Sequence, residues 1–177
     1  MDCKLVAIAL FILALDCAHA ADVWNVIGGG DANFFLVKRT YPRGGNQCAY
    51  MKRTSKNDDS HTLEAEMSYR RPGDTSFQAP STYTVTATQE GGTEYNIMTV
   101  TAKSGSQGGI QYKLVHSDGN NCNILQAKTG PFAGKCELWA PEGQASGVGN
   151  SCDSHFATYS CGEVQETPYT TDCRVPS

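Results

Sequence analysis

From Asn33 onward the chain falls into short runs in which apolar and polar residues alternate. Residues 62–70 show this most clearly. Leu63, Ala65, Met67 and Tyr69 fall on one face of an extended segment, and Glu64, Glu66, Ser68 and Arg70 on the other. Similar runs rich in Val, Ile, Thr, Tyr and Phe cover 33–41, 47–54, 82–89, 94–103, 110–117, 121–127 and 135–140. Between them stand clusters of turn residues: Pro42-Arg43-Gly44-Gly45, Asn57-Asp58-Asp59, Gly91-Gly92, Gly108-Gly109 and Asp118-Gly119-Asn120. Strands of this length joined by tight polar turns predict an all-β domain, either an antiparallel sandwich or an up-and-down barrel. No helix-length pattern separates the strands, which excludes a βαβ architecture.

One helix is predicted, over residues 152–159, with Ser151 as its cap, Asp153 in its first turn and Gly162 where a C-terminal cap belongs. Beyond it, 164–173 reads as an extended tail. At the other end, 21–31 closes on Gly28-Gly29-Gly30, read as a flexible hinge; no strand precedes it and no helix pattern follows, as a phosphate loop requires.

Residues 1–20 read as a secretory signal: Lys4, an apolar run over 5–15, and Ala18-His19-Ala20 ahead of a cleavage site before Ala21. The run is short of the roughly 20 residues a membrane span needs, and Asp16 follows it. The expected domain is therefore 21–177. Losing Lys4, Asp2 and Asp16 from 14 basic and 18 acidic residues leaves a net charge of −3, which suits neither nucleic acid nor an anionic membrane. Cys3 and Cys17 leave with the signal, and Cys48, Cys122, Cys136, Cys152, Cys161 and Cys173 remain. An even count in an exported chain reads as three disulfides, and no close C-x-x-C pair suggests a metal.

Catalytic signals are scarce. His61, His116 and His155 are isolated, and neither a nucleophile elbow, a zinc-protease motif nor a P-loop is present. No catalytic residue, cofactor or metal is therefore expected. The most informative stretch is Cys136-Glu137-Leu138-Trp139, where a strand places Glu137 and Trp139 on one face and Cys136 and Leu138 on the other. If Cys136 pairs with Cys161 beside the helix, the helix packs outside, and Glu137 and Trp139 face the lumen. A buried carboxylate there needs a partner. A ligand cation supplies one, with a cation–π contact to the indole; a buried Tyr, Arg or water supplies another.

These residues resemble the tick salivary lipocalins, the group that includes the tick histamine-binding proteins. The likeness lies in Asn33-Phe34-Phe35-Leu36-Val37-Lys38-Arg39-Thr40-Tyr41, in Cys48, in Ser117-Asp118-Gly119-Asn120-Asn121-Cys122, in Glu137-Leu138-Trp139, in Cys152 and in Thr171-Asp172-Cys173. The resemblance implies an eight-stranded antiparallel barrel with one short C-terminal helix packed outside. It also implies the bridges Cys48–Cys173 and Cys122–Cys152, which leaves Cys136–Cys161. It implies a monomeric protein secreted in saliva that sequesters a small host mediator. A biogenic amine (histamine or serotonin) is the first reading. A lipid such as cholesterol or a leukotriene, as in japanin-like relatives, is the second, and a barrel that engages a host protein or cell is the third. Tyr41, Glu137 and Trp139 match the family's amine site. Its fourth-strand acid falls at Tyr83, its fifth-strand aromatic at Val100, and its acid after Cys122 at Asn123. The loop over 42–47 carries only Arg43 as a charge, so the resemblance implies weakened histamine binding. With Met98, these neutral positions complete the expected ligand-binding set: Glu137, Trp139, Tyr41, Tyr83, Val100 and Met98.

Overall fold

The computed structural model describes residues 22–104, 108–119, 121–148 and 152–177; the predicted signal, Asn120 and the predicted cap Ser151 lie outside them. Eight antiparallel strands follow in chain order: β1 (Asn33–Arg39), β2 (Gln47–Asn57), β3 (Thr62–Arg70), β4 (Ser81–Gln89), β5 (Tyr95–Ala102), β6 (Ile110–Ser117), β7 (Asn123–Ala127) and β8 (Cys136–Pro141). Each pairs with its neighbour, and β8 returns to β1 with Leu36 opposite Trp139 and Arg39 opposite Glu137. The sheet is a closed barrel, so no strand edge is left unpaired.

The alternation along the strands divides the core in two. Phe34, Met51, Leu63, Ala65, Val85, Met98, Leu114 and Leu125 fill the lumen. Phe35, Val37, Tyr50, Ile124, Leu138 and Ala140 form a second layer on the outer wall, beneath Phe156 of helix α2 (Asp153–Thr158) and beside the C-terminal tail. All three disulfides lie in this outer layer: Cys48–Cys173, Cys122–Cys152 and Cys136–Cys161. Two of them bracket α2, and the Lys38–Asp153 ion pair adds a third tie to β1. The left-handed residue that ends α2 is Ser160 (φ 55°), earlier than the predicted Gly162. The amide of Cys161 then donates back to the Phe156 carbonyl at 2.9 Å, a Schellman closure that delivers Cys161 to its bridge. The tail is pinned by an Arg39–Glu166 bridge and by the Cys48 amide donating to the Pro168 carbonyl at 2.8 Å.

The predicted hinge is a correction. Residues Val23–Ile27 form a short helix, α1, whose cap Asp22 accepts from the amides of Trp24 (2.8 Å) and Asn25 (3.1 Å). The glycines after it are tied down: Arg53 donates to the carbonyls of Ile27 and Gly29, and Lys56 to that of Gly28. Gly28 itself is required by packing, since a Cβ there would stand 2.7 Å from the Trp24 ring. Val23 and Ile27 are buried in the lumen core, and Trp24 meets His61 edge-on, so α1 plugs the end of the barrel near the β2–β3 turn.

Candidate functional site

Strand β8 carries the site because its period of two meets a barrel wall. Cys136 and Leu138 are fully buried in the outer layer, which sends Glu137 and Trp139 inward, as the alternation predicts. Glu137 is only 6 % exposed. Its two oxygens are held by two neutral donors: the Tyr41 hydroxyl donates to Oε1, and the indole Nε1 of Trp139 to Oε2 at 2.7 Å. Both partners donate to it, one to each oxygen.

Tyr41 follows β1 and is itself fixed by stacking on Phe132, with ring centroids 3.9 Å apart. Burial, reinforced by the charge and hydrogen bond of Glu137, pushes its phenol far above the ordinary value and keeps it a proton donor. Tyr112 on β6 is shifted the same way, by burial first and then by Glu137, with Arg43 acting in the opposite direction. Arg39 stands directly across from Glu137 in the β1–β8 register, yet its guanidinium is taken by Glu166 on the tail. Glu137 therefore has no ion-pair partner among the described residues.

Glu137 lies in the wall of a lumen cavity that encloses, with its open mouth, about 570 Å³ of empty space. The rest of the lining is apolar apart from Asn123 and Tyr112: Phe34, Met51, Met67, Met98, Val100, Leu114, Leu125 and Trp139, closed at the far end by Val23, Val26 and Ile27 of α1. Asn123 is turned to the wall, accepting from Ser117 Oγ and donating to the Trp139 carbonyl. Among the described residues no group of three or more His, Cys, Asp or Glu is arranged to hold a metal.

Four of the six expected ligand residues, Glu137, Trp139, Val100 and Met98, line this cavity. Tyr41 and Tyr83 line a second pocket at the opposite end of the barrel from α1, with Trp139 and Met67 as the wall common to both. Sequence reasoning missed Tyr112, whose place on an alternating strand beside Leu114 was readable, and the three α1 side chains, which a five-residue helix signals only through Asp22 and Gly28.

The family profile described as tick histamine binding protein matches residues 16–175. Among solved structures, japanin from Rhipicephalus appendiculatus, bound to cholesterol in that crystal form, aligns with a TM-score of 0.58 at 14 % identity, covering 81 % of this chain and 96 % of that one. Lobster apocrustacyanin A1 aligns with a TM-score of 0.46 at 7 % identity over 77 % of each chain. The japanin likeness agrees with the closed eight-stranded lipocalin-type barrel seen here. With most of its length matched by one profile, and with this barrel and these bridges, the chain belongs to the tick histamine-binding protein family, a family of ligand-binding proteins.

Proposed function

We propose that this protein is secreted in saliva, after removal of residues 1–20, and sequesters a small host amine carrying one positive charge and an aromatic body. The carrying observation is Glu137: a buried carboxylate, oriented by two neutral donors, without a cationic partner among the described residues, at the edge of an apolar cavity. An uncompensated buried charge is costly, and a ligand ammonium removes that cost by pairing with it. The oriented carboxylate retains acceptor capacity beyond its two protein bonds, because each oxygen has two lone pairs. The indole of Trp139 and the apolar lining receive the ring.

A single acid suits a monoamine such as serotonin better than histamine, which takes up a second proton on its imidazole near neutral pH. A lipid is the second reading, and the apolar lining is what favours it. Three of the lining side chains belong to α1, so a sterol-sized molecule shares the lumen with that helix or displaces it. Native mass spectrometry of the purified protein, alone and with added serotonin, histamine or cholesterol, tests the assignment. Serotonin is expected to add one molecule and to hold it better than histamine. A retained sterol that serotonin does not displace would transfer the function to the lipid reading, and a barrel that takes neither would favour a scaffold for a host protein.

A further inference from the structure

The lumen cavity has an acid and no cation, and the pocket at the barrel mouth has the reverse. That pocket encloses about 760 Å³ with its opening, and no residue lining it is acidic. Its cations are Arg39 and Arg43, and only the first is neutralised. Glu166 accepts from the Arg39 guanidinium and from the backbone amides of Arg43 (2.9 Å) and Gly45 (3.1 Å), so the tail carboxylate fixes the loop and leaves the Arg43 side chain out. The Arg43 guanidinium lies 5.4 Å from the centroid of the Phe132 ring, and that ring also stacks on Tyr41. Its charge reaches inward far enough to act on Tyr112 in the lumen wall. Among the described residues it has no ion-pair partner.

A solvated loop arginine would account for the exposure of Arg43 alone, but not for the surroundings. Asn46, Ser81 and Tyr83 line the same pocket, and none of their side chains is hydrogen-bonded to a described residue. Apolar surface from Leu36, Met67 and Trp139 continues beneath them. A cation, polar side chains not hydrogen-bonded within the protein and an apolar floor, with no acid in the lining itself, together match an organic anion with a flat or apolar body.

We infer that the mouth pocket is a second binding subsite, which takes a small aromatic carboxylate with its charge on Arg43 and its body against Trp139. It does not depend on an amine occupying the lumen. Three indoles that differ in charge make the test: indole-3-acetate, tryptamine and the neutral indole-3-ethanol, each titrated into the intact protein, into Arg43→Gln and into Glu137→Gln. The intact protein is expected to bind the acetate more tightly than the ethanol. Arg43→Gln should weaken the acetate about five- to tenfold without weakening tryptamine. Glu137→Gln should weaken tryptamine and leave the acetate at least as tight. Added salt should raise the acetate dissociation constant, because the arginine is exposed. No detectable acetate binding, equal affinity for acetate and ethanol, or an acetate affinity indifferent to Arg43→Gln would each overturn the subsite. The tryptamine arm reports separately on the lumen reading.

Discussion

Glu137 was legible as a residue that faces inward, because its neighbours Cys136 and Leu138 belong to the outer layer and a strand leaves no other choice. Its partners were not legible. Tyr41 lies 96 positions away in the chain, and only closure of β8 on β1 brings its hydroxyl to the carboxylate. Tyr83 shows the same limit: it was expected in one ligand-binding set with Val100, and strand tilt and register place it in the mouth pocket while Val100 lines the lumen cavity. The bond from Tyr41 to Glu137 is buried, so removing the donor leaves an acceptor short of a partner. Tyr41→Phe should lower the unfolding free energy by about 1–3 kcal/mol in chemical denaturation. An unchanged midpoint and slope would mean that this hydrogen bond is not formed in solution.

At the scale of elements, the β-segments were readable throughout, two of them (62–70 and 110–117) to the residue, because period-two alternation and the turn glycines agree. The helices show where local signal ends. α2 was found from its polar start, whereas α1 is too short for a helical period to show, and its stability comes from the barrel end it plugs. α2 also holds a pH-dependent contact. His116 of β6 stacks on His155 of α2 with centroids 3.7 Å apart, and Tyr159 lies beside them. Burial, then the neighbouring His155, lowers the His116 pKa below its ordinary value, while Asp118 acts the other way. A histidine depressed in the folded state takes up its proton more readily when unfolded, so the stability it contributes is present above the unfolded pKa and is lost on acidification. The melting temperature should therefore fall between pH 7.5 and 5, and fall less in His116→Gln. An equal fall in both proteins would place the acid sensitivity elsewhere.

For the whole molecule, composition and cysteine count gave the class, and the resemblance gave the connectivity that spacing alone leaves open. The long-range closure is physical as well as topological. Cys48–Cys173 spans 125 positions and fastens the tail over β2, in the layer that also holds the two bridges around α2. On the chain-entropy account a loop of that length contributes about 4–5 kcal/mol. Replacing both cysteines by alanine should lower the denaturation free energy by that order, and a change under about 1 kcal/mol would show that the tail contacts, including Arg39 with Glu166, hold the closure without it.

Under the proposed function, Glu137 is the buried side chain that pairs with the ligand cation inside the barrel. Calorimetric titration of serotonin into the protein and into Glu137→Gln tests this most directly, since glutamine keeps the size of the side chain and an acceptor for Tyr41 or Trp139 while removing the charge. The predicted result is one binding event in the unaltered barrel, weakened about tenfold or more by the substitution, with the melting temperature of the free protein unchanged or raised. Equal serotonin affinity in the two proteins would contradict the account and leave Glu137 as a structural anchor for Tyr41 and Trp139.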